Sequence, residues 1–181
     1  MARILMVASE GLPYIKSGGL ADVIGSLPKE LVKKGHEVRV VMPLYAPIAR
    51  KFHDGFQLEA QYTVSISYHE VPVNIWSQMQ GDVKFYFVEH KGYFERDNLY
   101  GYMDDGERFA YFQKAVIEML NQLNYFPEIM HSHDWHTGMI PVMCKEGHSF
   151  DERYRNIKHV YTIHNLAYQG NFGAEMLDSC L

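Results

Sequence analysis

The sequence has no long hydrophobic run, almost no cysteine and no block of like charge, and each shortage removes a class of protein. No stretch approaches the ~20 apolar residues needed to span a bilayer, and the opening Met1–Ala8 run is too short for a secretory signal. Only two cysteines, Cys144 and Cys180, occur among 181 residues, without metal-site or C-x-x-C spacing. That suits a reducing compartment and offers no disulfide framework. The net charge is a modest −5, and the lysines and arginines are scattered. A nucleic-acid binder needs a basic patch or stripe, so nucleic acid is not expected as a partner. With 47% apolar and 22% charged residues the chain is neither disordered nor fibrous. What remains is a cytoplasmic, soluble α/β domain of ordinary size.

The patterning alternates between two periods. Ile4–Ala8 is an apolar run of the kind buried on both faces of a sheet. Residues 20, 23, 24, 27 and 31 then follow helical spacing, with Gly35 placed to end the helix and Pro28 expected to kink it. Val38–Met42 is a second buried strand that Pro43 should stop. Leu58–Tyr68 and Val71–Gln80 alternate like a hairpin inserted into the domain, and Lys84–Val88 is the third core strand. A loop over 89–105 leads to a helix at Glu107–Asn124. A strand at Glu128–His133, a helix at Trp135–Glu146 and a strand at His159–Ile163 complete the pattern. Strands alternating with helices imply a doubly wound, mostly parallel sheet, whose ligands bind beyond the carboxyl ends of its strands.

Three loops fall at that edge. In the first, Ser9–Leu20, the pair Gly18-Gly19 opens a helix whose unpaired N–H groups and partial positive charge suit an anion, with Lys16 adding a full charge. The redox fingerprint G-x-G-x-x-G and the Walker loop are both absent. The second, His131–Gly138, holds His131, His133 and His136 with Asp134. As a metal site it would serve a metal-dependent hydrolase, but it runs H-x-H-D-x-H where such enzymes carry H-x-H-x-D-H. Asp134 is equally suited to cap the next helix. The third, Tyr161–Gly170, puts His164 at the end of a buried strand.

Together these segments resemble the bacterial glycogen and starch synthase family. Lys16–Val23 is similar to its KTGGLADV signature, with Ser17 for the usual threonine; His131–Gly138 is similar to its H-x-HDWH segment; and Thr162–Gly170 is similar to its T-[IV]-HNLAYQG. The resemblance implies the N-terminal half of a GT-B glycosyltransferase, one of two Rossmann-like domains with the active site between them. It further implies metal-independent, retaining transfer of glucose from ADP-glucose to the non-reducing end of α-1,4-glucan, with no cofactor. On that basis Lys16 and the Gly18-Gly19 backbone face the donor diphosphate. His164 contacts the transferred glucose, its carbonyl near the anomeric carbon, beside Asn165. Asp22, Tyr100 and Asp134, with Trp135 nearby, line the sugar and acceptor side. No pair of flanking carboxylates, as glycoside hydrolases use, is evident, which favours front-face transfer over a covalent intermediate. The family's C-terminal nucleotide-binding domain has no counterpart here, so Leu181 reads as an early end to the N-terminal domain. The chain by itself is therefore expected to be inactive, to bind glucan at most, and to self-associate through bared apolar surface.

Overall fold

A computed structural model describes residues 1–176; Cys180 and Leu181 lie outside the described residues. A seven-stranded sheet forms the frame, with strands β1 (Arg3–Val7), β2 (Glu37–Pro43), β3 (Gln57–Ile66), β4 (His69–Gln80), β5 (Val83–Glu89), β6 (Ile129–His133) and β7 (Lys158–Thr162). Their spatial order is β3-β4-β5-β2-β1-β6-β7. Strands β5, β2, β1, β6 and β7 pair in parallel, and β4 is antiparallel to both β3 and β5. Leu5, Met6 and Val7 are completely buried at the centre, as the short apolar opening run requires.

The chain winds outward from β1 to β2 and β5, then returns to β1's other side for β6 and β7. The order therefore reverses between β1 and β6, the place where open α/β sheets bind ligands beyond their carboxyl ends. The expected hairpin is present as β3 and β4. β4 pairs with β5 along seven residues, so β3 and β4 simply widen the same sheet. They also cover its partner helix, since Tyr62 donates its hydroxyl to the Ala115 carbonyl at 2.6 Å and Tyr111 donates to that of Pro72 at 2.9 Å.

Helix α1 (Leu20–Lys33) runs on through Pro28, and Gly35 follows it at φ 85°. A glycine at this left-handed position ends a helix at no steric cost. A short helix α2 (Ala46–Phe52), which the periodicity does not announce, follows β2. Helix α3 (Lys91–Phe94) interrupts the segment expected to be loop, and α4 (Asp105–Gln122) starts two residues early. Its stripe at 109, 112, 116, 119 and 120 is buried as the spacing predicts.

The largest departure follows β6. No continuous helix spans 135–146; a 3₁₀ turn at Trp135–Thr137 gives way to α5 (Ile140–Val142) and a π-turn at Met143–Gly147. Gly138 and Pro141 fall within the segment, and both residue types weaken a helix interior. Helix α6 (Glu152–Arg155) then leads into β7. Among the described residues no helix is long and apolar enough to cross a membrane.

Candidate active site

The loop after β1 is drawn tightly onto α1. A Cβ on Gly25 would stand 2.8 Å from that of Leu12, so only glycine permits this approach. The loop's Glu10 is almost fully buried, and its carboxylate accepts the Ser17 and Gly18 N–H groups, the latter at 3.2 Å. An internal carboxylate thus occupies half of the glycine pair expected to face an anion. Among the described residues the N–H groups of Gly19, Leu20 and Ala21 keep no protein acceptor, as the first turn of a helix leaves them. Lys16 and Asp22, expected to face substrate separately, meet each other at 2.7 Å across a half-exposed surface. Such a pair contributes about 0–1 kcal/mol and is readily exchanged for another partner.

Beneath this loop lies a polar chain. Buried Ser9 Oγ stands 2.8 Å from the Tyr100 hydroxyl and 3.2 Å from His136 Nδ1. Burial, then the Glu10 charge, holds the Tyr100 phenol well above its ordinary range. Its ring lies 4.6 Å from that of His136, so the segment around residue 100 does reach the rim. His136 is pushed down to about 3, chiefly by burial and then by Arg108, and is neutral at pH 7.

Next to it the β6 loop carries the most strained residue of the rim. Asp134 has φ 57° and ψ 178°, a region that L-residues avoid and glycine tolerates. Although it sits at the N-cap, its side chain does not cap the 3₁₀ turn. The carboxylate instead accepts the His164 N–H at 2.7 Å, while the Asp134 N–H donates to the Thr162 carbonyl at 3.0 Å. Asp134 therefore stitches the end of β6 to the loop after β7. His164 Nε2 lies 2.9 Å from His133 Nδ1. His133 is pushed down to about 3 by burial and then by His131 and His164.

The four residues of the suspected metal cluster do not converge. His131 turns to Thr162 Oγ1 at 2.7 Å, His133 to His164, His136 to Ser9 and Asp134 to the His164 backbone. Among the described residues no group of three or more histidines, cysteines or acids is arranged to hold a metal ion. Trp135 is half-buried and turned inward, 5.1 Å from Phe109 and 5.4 Å from Phe172. A Cβ on Gly170, at φ 63°, would overlap its ring at 2.4 Å. Trp135 forms one wall of a cavity of about 310 Å³ shared with Tyr161, Phe172 and Gln113. Asn165 is exposed, and its side chain accepts the Ala167 N–H at 2.9 Å, which shapes the loop.

Two residues of this region escaped the reading of the sequence, Glu10 and Arg108. A lone acid in a loop gives no sign that it will fold back on the loop's own amides. Arg108 had a faint signal, one position before the buried stripe of α4.

A mostly parallel sheet with a helix start and a buried carboxylate at its order reversal defines a Rossmann-like α/β domain. The starch synthase catalytic domain model matches residues 3–181. The chain belongs to that family. It is 46% identical to the glycogen synthase of Streptococcus agalactiae serotype III (strain NEM316) and 45% identical to that of Bacillus cereus (strain Q1), over 175 residues in each case. Those alignments cover 97% of this chain and 37% of each relative, so the chain spans little more than a third of their length. The catalytic domain of starch synthase IV from Arabidopsis thaliana, bound to ADP and acarbose, superimposes with a TM-score of 0.87 at 28% identity. That match covers 99% of this chain and 37% of the other.

Proposed function

We propose that this chain is the acceptor-side, N-terminal domain of a cytoplasmic glycogen synthase of the GT-B type. The whole enzyme transfers glucose from ADP-glucose to the non-reducing end of α-1,4-glucan, with retention and without a metal. The observation that carries this reading is a juxtaposition: the unpaired N–H groups of Gly19–Ala21 and the Asp134–His164 hydrogen bond share the ligand edge of adjacent strands β1 and β6. The Arabidopsis relative holds ADP and acarbose, and a diphosphate is among the anions that a helix start accepts.

In this reaction the bond from the anomeric carbon to the β-phosphate oxygen breaks, and a bond to the acceptor hydroxyl forms on the same face. The acceptor proton passes to the departing phosphate. Charge gathering on that phosphate is met by the Gly19–Ala21 amides and by Lys16 once it leaves Asp22. Pre-aimed donors of this kind act without reorganising during the reaction. The His164 carbonyl dipole stabilises the electron-poor sugar.

The test is glucosyl transfer from ADP-glucose to glycogen in EDTA, using the complete reading frame beside its His164→Ala variant. Activity should survive EDTA and collapse in the variant. Activity abolished by EDTA would restore the histidine cluster as a metal site.

The 181-residue chain alone should show no transfer. It should also self-associate, because β7 is an edge strand with Val160 and Tyr161 more than 40% exposed, and Ile163, Leu166 and Tyr168 beyond it are more exposed still. Light scattering that reports a monomer across a wide concentration range would contradict this.

A further inference from the structure

Arg108 is completely buried, and its hydrogen bonds reach the segment that carries Tyr100. From the first turns of α4 its Nε donates to the Tyr93 carbonyl at 2.8 Å, and its Nη1 donates to the Leu99 carbonyl at 3.1 Å and to Asp105 Oδ1 at 2.6 Å. The other Asp105 oxygen accepts the Gly101 N–H at 2.8 Å. Tyr100 is therefore bracketed, the carbonyl before it held by Arg108 and the amide after it by Asp105. Its hydroxyl is the group that reaches Ser9 on the ligand edge. We propose that Arg108 is the positioning residue of this site, fixing residues 93–101 so that the Tyr100 hydroxyl stands on Ser9 beside the glycine loop.

A purely stabilising role accounts poorly for this arrangement. Burying a guanidinium against one carboxylate is commonly no better than filling the space with apolar atoms. Here Nη2 is also buried without a partner among the described residues. What apolar atoms cannot supply is the directional grip on two backbone carbonyls, and lysine lacks the planar fork needed to make it.

The proposal rests on the glucosyltransferase reading for its kinetic arm only. In the complete reading frame, Arg108→Met should lower the thermal midpoint, because Asp105 is left buried without its partner, and should in addition lower kcat per folded molecule by up to about 10²-fold, the scale of a misplaced active-site group. Tyr100→Phe should lower kcat similarly, and the double variant should be no worse than the poorer single, because both changes remove one interaction. Additive losses, or a loss explained by a fallen midpoint with normal kcat per folded molecule, would overturn the proposal. Should Arg108→Met fail to fold, Arg108→Lys replaces it in the same cycle.

The second arm needs no activity. In the complete reading frame, hydrogen exchange at Gly101 should accelerate by about tenfold or more in Arg108→Lys while α4 amides stay protected. Unchanged exchange at Gly101 would refute the positioning role, even in an enzyme that transfers glucose. If the wild-type enzyme transfers none, the functional reading fails while the exchange result still decides the role of Arg108.

Discussion

Replacing Asp134 by alanine should remove most activity from the complete enzyme, whereas replacing it by glycine should leave activity as low but restore stability. The carboxylate is buried and accepts the His164 N–H at 2.7 Å. Without it the loop after β7 loses the bond that fixes its angle to β6. A donor or carbonyl displaced from the reacting centre typically costs on the order of 10²–10³ in rate. The backbone sets the stability difference. At φ 57° and ψ 178° an alanine keeps the strain of Asp134 while a glycine releases it. Strain in such a region is worth roughly 1–3 kcal/mol, so Asp134→Gly should exceed Asp134→Ala by that margin in urea unfolding. Equal stabilities would mean that residue 134 relaxes freely once the carboxylate is gone. Full activity in either variant would remove Asp134 from the site.

The parts of this protein that could be read in advance are those dominated by burial. The apolar run Ile4–Ala8 and the stripe on α4 announce themselves because a sheet centre and a helix face each impose a period. The order of the three loops along the ligand edge followed from topology, since parallel strands place their following loops on one side. Local competition defeated the same reasoning after β6, where Gly138 and Pro141 divide an apolar stretch into three short turns. Along the rim, the placement of the three loops was legible and the partnership of their side chains was not. Lys16 and Asp22 are six residues apart and pair with each other, while Glu10 takes the Gly18 amide, one of the two expected to face an anion. Nothing in a one-dimensional pattern tells whether a charged side chain turns outward to a ligand or back onto its own loop. The grip of Arg108 on residues 93–101 is of the same kind, a long-range contact made by a residue whose type is usually exposed.

Acid should destabilise the chain well before its carboxylates are protonated. His133 and His136 are buried, and both are held near 3, against an ordinary value of 6.5. Between those values the unfolded chain binds protons that the folded chain refuses, so the stability each neutral imidazole brings is complete above pH 6.5 and falls as pH drops toward 3. Each contributes a slope of about 1.4 kcal/mol per pH unit in that window. Lowering the pH from 7.5 to 5 should therefore remove about 4 kcal/mol from the two together, a large share of the 5–15 kcal/mol typical of a domain. His131 and His159 are lowered by burial too and act in the same direction. The lowered carboxyls of Glu59 and Asp104 have the same sign but take effect only in the more acidic carboxylate range. Urea midpoints at pH 7.5 and 5 test this, with His136→Gln expected to remove about half of the two-histidine loss. A midpoint that scarcely moves would show that the imidazoles accept protons within the fold. Because His133 lies against His164 and His136 against Ser9 and Tyr100, the first elements to loosen in acid should be the loops of the ligand edge. Activity of the complete enzyme should then fall at a higher pH than its sheet unfolds.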